Sequence, residues 1–193
     1  MLSYRDLVTR MIKAVHRRES RDPILGRNGN KIGELQEFWG WYASDLLGNL
    51  LRGVFAEYLV GTALGCDLSG IRVEWDAYDL TTPEGLKIEV KSSGYLQSWS
   101  NNEPSTIRFD IAERRSGPRA ADVYVFCVFT CIAVQDANPL DTRQWDFCVV
   151  TTERINAVLK NQKSIGLEPL KARLQLKPYR FEEISEAVKK LPG

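Results

Sequence analysis

The chain has 193 residues, 44% of them hydrophobic and 26% charged, a composition ordinary for a globular protein and a length that can bury a real core. Its 26 lysines and arginines barely exceed its 25 aspartates and glutamates, so the net charge of +1 excludes a polycation that grips nucleic acid by bulk charge, and such a role must rest on local basic groups. No apolar run reaches membrane-spanning length, and residues 1–13 are charged throughout, so neither a signal peptide nor a membrane anchor is expected and the cytoplasm is the expected location.

Leu2, Leu7, Met11 and Val15 fall at near-helical spacing and predict an opening amphipathic helix. Residues 21–33 hold three glycines and a proline but lack the GxxxxGK[ST] order of a phosphate-binding loop, so they read as a mobile or DNA-contacting loop. Residues 34–64 predict a long helical stretch, broken near Gly48. Its aromatics Phe38, Trp39, Trp41 and Tyr42 read as core or as a subunit contact, which leaves a homodimer open. Residues 72–80 and 86–91 predict two strands joined by the turn chemistry of Thr81-Thr82-Pro83-Glu84-Gly85. A helix or crossover is expected from Tyr95, a turn at 101–104, a strand over 106–112 and a charged loop over 113–119. Residues 121–134 (ADVYVFCVFTCIAV) are almost continuously apolar and predict a buried central strand, with a second at 145–150. A short helix capped by Thr151 or Thr152 should follow over 152–161, and an amphipathic helix over 181–191. The expected organisation is one domain over 1–193: a helical part to residue 66, a core sheet with the hairpin over 71–152, and C-terminal helices from 153.

The hairpin carries the chemistry. Side chains alternate along a strand, so Glu89 and Lys91 share one face while Ile88 and Val90 share the other. A turn centred on Glu84 sets Asp79 opposite Glu89, with Cβ atoms about 4.5–5.5 Å apart. Like charges there destabilise a sheet unless a cation lies between them. The pair therefore reads as a site for Mg²⁺ or Mn²⁺, with the Lys91 ammonium one step along the same face, able to orient water or to stabilise charge building on phosphorus. The plainer reading of a Glu-x-Lys strand is a solvated face.

An aspartate, about ten residues, then Glu-x-Lys on the next strand resembles the core motif of the PD-(D/E)xK nucleases, the restriction-endonuclease-like superfamily. The segment LRGVFAEYLV at 51–60 is similar to the helix that precedes the sheet there and often supplies an acidic residue, a position matched by Glu57. Gln97, six residues past Lys91, is similar to the glutamine many members carry beyond the motif. The matching features span residues 51–99. The resemblance implies a three-layer α/β/α fold around a central mixed β-sheet. It implies Mg²⁺- or Mn²⁺-dependent hydrolysis of phosphodiester bonds in DNA, with RNA as the alternative substrate. It implies that Asp79, Glu89, Glu57 and the Val90 carbonyl hold the metal, and that Lys91 and Gln97 complete the catalytic set. A catalytically inactive member of the fold, binding DNA or a protein partner, is the alternative. The chain departs from the family name in one place, since Tyr78 precedes Asp79 where the name has proline. That leaves Asp76 as a rival ligand, although strand alternation turns it the other way.

Cys66, Cys127, Cys131 and Cys148 form no Cys-x-x-Cys pair and read as free, largely buried thiols. His16 is the only histidine, set among Lys13, Arg17 and Arg18 on a solvated helix face, and no Ser-His-Asp or Cys-His motif supports it. Two basic groups are expected to be exposed and able to meet phosphates: Arg108, Arg114, Arg115 and Arg119, and Lys13, Arg17, Arg18, Arg21, Arg27 and Lys31.

Overall fold

The computed structural model describes residues 16–72, 77–98, 104–113 and 117–192, so the opening helix expected from residue 2 onward, Asp76, Arg114 and Arg115 lie outside the described residues. Contacts group the chain into two compact units, 1–46 with 69–76, and 47–68 with 77–193.

The first unit holds a β-hairpin where a loop was expected. Strand β1 (Pro23–Leu25) runs antiparallel to β2 (Lys31–Glu34), with Pro23 opposite Glu34. The turn closes through Gly26 N–H to the Asn30 carbonyl at 2.8 Å, and Gly29 adopts φ +76°. Two of the three glycines that argue for a loop, Gly26 and Gly29, thus belong to the turn of a hairpin whose strands are too short to show alternation, and Gly33 lies within β2. Helix α1 (Leu35–Ala43) follows directly, and the Glu37 carboxylate accepts from the Glu34 N–H at 2.8 Å. The aromatics of α1 do not form a core: Trp41 is 82% exposed, and Phe38, Trp39 and Tyr42 are exposed as well.

The second unit is mixed α/β around a central mixed sheet. Helix α2 (Asn49–Ala63) leads in, separated from α1 by the break expected near Gly48. Four strands follow in the spatial order β3 (Leu80–Thr81), β4 (Lys87–Gly94), β6 (Val123–Phe129), β7 (Trp145–Thr151). β3 lies antiparallel to β4, β4 parallel to β6, and β6 antiparallel to β7. A separate antiparallel pair joins β5 (Arg108–Asp110) to β8 (Ser164–Gly166). Helices α3 (Thr152–Leu159), α4 (Leu167–Leu174) and α5 (Ile184–Lys189) complete the unit.

Alternation along β6 sorts the core into two halves. Val123, Val125, Cys127 and Phe129 join Ile88 and Val90 of β4 and pack against Ala56, Leu59 and Val60 of α2 and Ile184, Ala187 and Val188 of α5. Tyr124, Phe126 and Val128 face the other way, onto Phe109, Ile155 and Leu159, and Leu170 and Leu174. Both faces of β6 are buried, which is why its sequence is apolar without interruption. The strand ends at Phe129, short of the expected residue 134, because Ile132 and Val134 leave the sheet for exposed positions and a 3₁₀ turn begins at Val134. Residues 95–98 form no helix. Helix α3 starts as expected, with the Thr151 hydroxyl accepting from the Arg154 N–H at 3.2 Å. Among the described residues, no helix is long and apolar enough to cross a membrane.

Candidate active site

The hairpin register is the one the turn dictates. Leu80 pairs with Ile88 and Thr81 with Lys87, and Asp79 lies just beyond that ladder. The turn is tied by Thr82 N–H to the Leu86 carbonyl at 2.9 Å, with Gly85 at φ +90°. Ile88 and Val90 enter the α2 side of the core, which forces Glu89 and Lys91 to the opposite face, level with Tyr124 and Phe126 of β6. That face is not solvated at this point. Glu89 is only 8% exposed. A buried glutamate needs a partner, and the Lys91 Nζ lies 2.7 Å from its Oε1.

Asp79 is placed by the backbone. Its N–H donates to the Ile88 carbonyl at 3.0 Å, and its Oδ2 accepts from the Val90 N–H at 2.7 Å. The carboxylate thus sits against the edge of β4. A residue's N–H and C=O turn to the same edge of a strand, so the Val90 carbonyl faces the side that Asp79 occupies. Burial, then the charges of Glu89 and of Glu57, push the Asp79 carboxyl up to about 7, against the opposing pull of the Val90 N–H and Lys91. Glu57 is half-buried on α2, which covers the Ile88/Val90 face. Asp79 therefore stands at the sheet edge within electrostatic reach of one glutamate from each side. The three carboxylates do not draw together as a compact cluster: among the described residues, no group of three or more His, Cys, Asp or Glu side chains is arranged to hold a metal ion.

Gln97 lies past the end of β4, its Oε1 accepting from Arg52 Nη1 at 2.9 Å and its Nε2 donating to the Gly94 carbonyl at 3.2 Å. A cavity of about 260 Å³ opens beside Glu89 and Lys91, lined also by Asp110, Glu113, Arg119 and Tyr124. Arg119, expected on the surface, is buried instead. Its guanidinium donates to the Ile111 carbonyl at 2.6 Å and to Asn156 Oδ1 at 2.6 Å, so it braces the wall of this cavity. A run of four arginines within twelve residues looks like a solvated loop; nothing in it marks the one that turns inward. Arg108 is exposed, as are Arg17, Arg18, Arg21, Arg27 and Lys31.

The four cysteines are free, Cys127 and Cys148 being buried and the other two half-buried. Burial holds the Cys127 thiol well above its usual range and pushes Cys148 up to about 11, as suits inert core thiols. No protein-family model matches this chain, and no curated protein is significantly similar to it.

Proposed function

We propose that the protein is a metal-dependent nuclease of restriction-endonuclease-like, three-layer α/β/α fold that hydrolyses phosphodiester bonds in DNA. The observation that carries this reading is the Asp79 carboxylate, held on the Val90 N–H at 2.7 Å and within electrostatic reach of Glu89, with Lys91 bonded to Glu89 at 2.7 Å. Helices on both faces of a sheet whose central pair, β4 and β6, is parallel support the fold.

The donor types suit a hard divalent ion, although among the described residues no three such side chains are drawn together around one. Oxygen donors suit Mg²⁺ or Mn²⁺, and the Asp79 carboxyl, raised first by burial and then by the charges of Glu89 and Glu57, is one that a cation would favour in its ionised form. Asp79, Glu89 and the Val90 carbonyl would hold it, with Glu57 from the α2 side. When bound, the ion would offset phosphate charge and acidify a water for attack on phosphorus. The chain's own residues do the rest. Val90 N–H fixes the Asp79 carboxylate. The Lys91 ammonium lies where charge builds on the phosphate and orients the nucleophile.

A second reading follows from the same ion pair. The Lys91–Glu89 contact occupies an oxygen that a cation would take, which favours a binding module of the same fold that holds DNA or a protein partner without cutting it. Titration with Mn²⁺ and cleavage assays on linear, branched and single-stranded DNA and on RNA decide between them. The nuclease reading expects Mn²⁺ binding lost in Asp79→Asn and Glu89→Gln, the former keeping an oxygen for the Val90 N–H. It also expects Lys91→Ala to bind Mn²⁺ at least as tightly as the parent, because Glu89 is released, and to cut about 10²–10³-fold more slowly. A protein that binds Mn²⁺ and cuts none of these substrates is the binding module. Unchanged Mn²⁺ affinity in both carboxylate variants removes the site altogether.

A further inference from the structure

The first unit exposes what a folded chain ordinarily hides. Among its described residues none is buried, helix α1 included. The helix is amphipathic all the same. Leu35, Phe38, Trp39 and Tyr42 recur at the i, i+3, i+4 and i+7 spacing of one face, with Trp41 at its edge, while Gln36, Glu37 and Gly40 lie on the other. Phe38 and Tyr42 lie nearly parallel, 6° apart in plane and 5.7 Å between centroids, and the Trp41 ring stands 6.3 Å from Phe38. The result is a row of aromatic rings open to solvent on a helix. A contiguous apolar surface of this kind marks a place of contact with another molecule.

The charge beside the rings selects the kind of molecule. An open groove of about 630 Å³ is lined, among the described residues, by Trp39, His16, Arg17, Arg18, Glu19 and Ile71, among others. Its walls are tied together by the backbone. The Leu35 N–H donates to the Asp22 carbonyl at 3.0 Å and the Gln36 N–H to the Ser20 carbonyl at 2.8 Å, which fixes the 19–22 turn on the start of α1. Arg17 Nη1 donates to the Ser69 carbonyl at 2.7 Å, a contact that uses one of five guanidinium donors. Arg18 meets Asp22 at 3.8 Å, but its side chain is 72% exposed and such a pair is weak. Arg21 follows, exposed, in the same turn. Three guanidinium groups and an imidazole thus stand against the carboxylates of Glu19 and Asp22. A purely apolar occupant has no use for that edge. A flat aromatic base carrying a phosphate matches both halves, and the groove has the size of a small-ligand site.

We propose that this face of the first unit binds single-stranded DNA. One unpaired nucleotide sits in the groove with its base on Trp39 and its phosphate at Arg17 and Arg18, and further bases stack on Phe38, Trp41 and Tyr42. Every base has a π-face, and a duplex keeps that face covered by its neighbours, so such a platform selects unpaired strand without reading sequence. With the local charge nearly balanced, stacking supplies most of the affinity and counterion release the lesser part. The choice of DNA over RNA rests on the nuclease reading; the stacking platform does not.

The experiment titrates the full chain, in chelator, against a labelled oligothymidylate of about 15 nucleotides, its duplex with oligoadenylate, and the matching oligouridylate, reading anisotropy and tryptophan emission. The parent should bind the single strand about 10-fold more tightly than the duplex, with its tryptophan emission quenched. Trp39→Ala should weaken single-strand binding about 10-fold, and Trp39→Phe, which keeps a π-face, should recover most of the loss. The Arg17→Gln/Arg18→Gln pair should weaken it as well and reduce the salt slope by about 1.4, the share of two phosphates on a single strand. Trp39 belongs to neither core cluster, so the circular dichroism of every variant should match the parent's. Equal affinity for strand and duplex, a Trp39→Phe protein as weak as Trp39→Ala, or tighter binding of oligouridylate than of oligothymidylate overturns the inference. So does a dimer in sedimentation that Trp41→Ala dissociates, because a second copy then covers the rings. A parent that cuts no DNA with Mg²⁺ yet binds the strand through Trp39 loses the nuclease reading and keeps this inference. A parent that cuts while Trp39→Ala binds unaltered keeps that reading and loses this inference.

Discussion

Asp79 is held in place at a cost. Its carboxylate satisfies the Val90 N–H, which would otherwise lack a ladder partner beyond the short strand β3, but it does so beside Glu89 and Glu57. The aspartate's pKa of about 7 lies above its ordinary 3.8, so the folded chain binds this proton more tightly than the unfolded chain does. The sign follows. Stability from this group is complete below about pH 3.8 and is lost progressively as pH rises through about 7. Asp79→Asn cannot ionise and keeps an oxygen for the Val90 N–H. In chelator, its urea midpoint should therefore gain on the parent's as pH rises from 4 to 8, the gain levelling off above about 7. A difference that is flat with pH, or that shrinks as pH rises, contradicts the environment described for Asp79. The hairpin register was legible before any fold: the turn centred on Glu84 fixes the pairing of Leu80 with Ile88 and of Thr81 with Lys87 by counting alone. The contact of Asp79 with the Val90 N–H was not legible, because it depends on the ladder ending where it does.

At the scale of elements, what was readable tracks length and burial. β6 announces itself because both its faces are buried and seven successive residues are apolar. β1, β2 and β8 have three or four residues each, too few for a period to emerge, and α4 opens on Gly166 with no side-chain cap. Aromatic content misleads in α1, where Phe38 stacks on Tyr42 at 5.7 Å between ring centroids in solvent instead of in a core. The contrast is testable by substitution. Phe126 is fully buried and meets Phe109 edge-on at 4.9 Å, so Phe126→Ala should cost about 3–5 kcal/mol in denaturant unfolding. Trp41→Ala, at an 82% exposed position, should change stability by under about 0.5 kcal/mol. A large loss at Trp41 would mean that this helix is covered in solution.

The whole molecule sets the conditions under which the site would work. With 26 basic and 25 acidic side chains, no long-range field draws a polyanion to this chain. Near the candidate site the balance is no better: Lys91 is paired to Glu89, Arg119 is buried against carbonyls, and Asp110 and Glu113 line the same cavity. If the proposed function holds, affinity for DNA would have to come from a few exposed side chains, Arg108 within the same unit among them, each displacing a condensed counterion. Few contacts mean weak binding and a shallow salt dependence. A chain that neutralises about three phosphates should show a slope near −3 in a plot of log affinity against log salt, where a basic DNA-binding domain reaches −6 or steeper. A divalent ion held by Asp79 and Glu89 would bridge to phosphate and add affinity that survives salt, so Mg²⁺ should tighten binding and Asp79→Asn should abolish that gain. Anisotropy titrations of labelled DNA from 50 to 300 mM salt, with Mg²⁺ and with chelator, separate the two contributions. A steep slope that is indifferent to Mg²⁺ and to Asp79→Asn would place DNA on a surface away from the carboxylates and favour the binding-module reading.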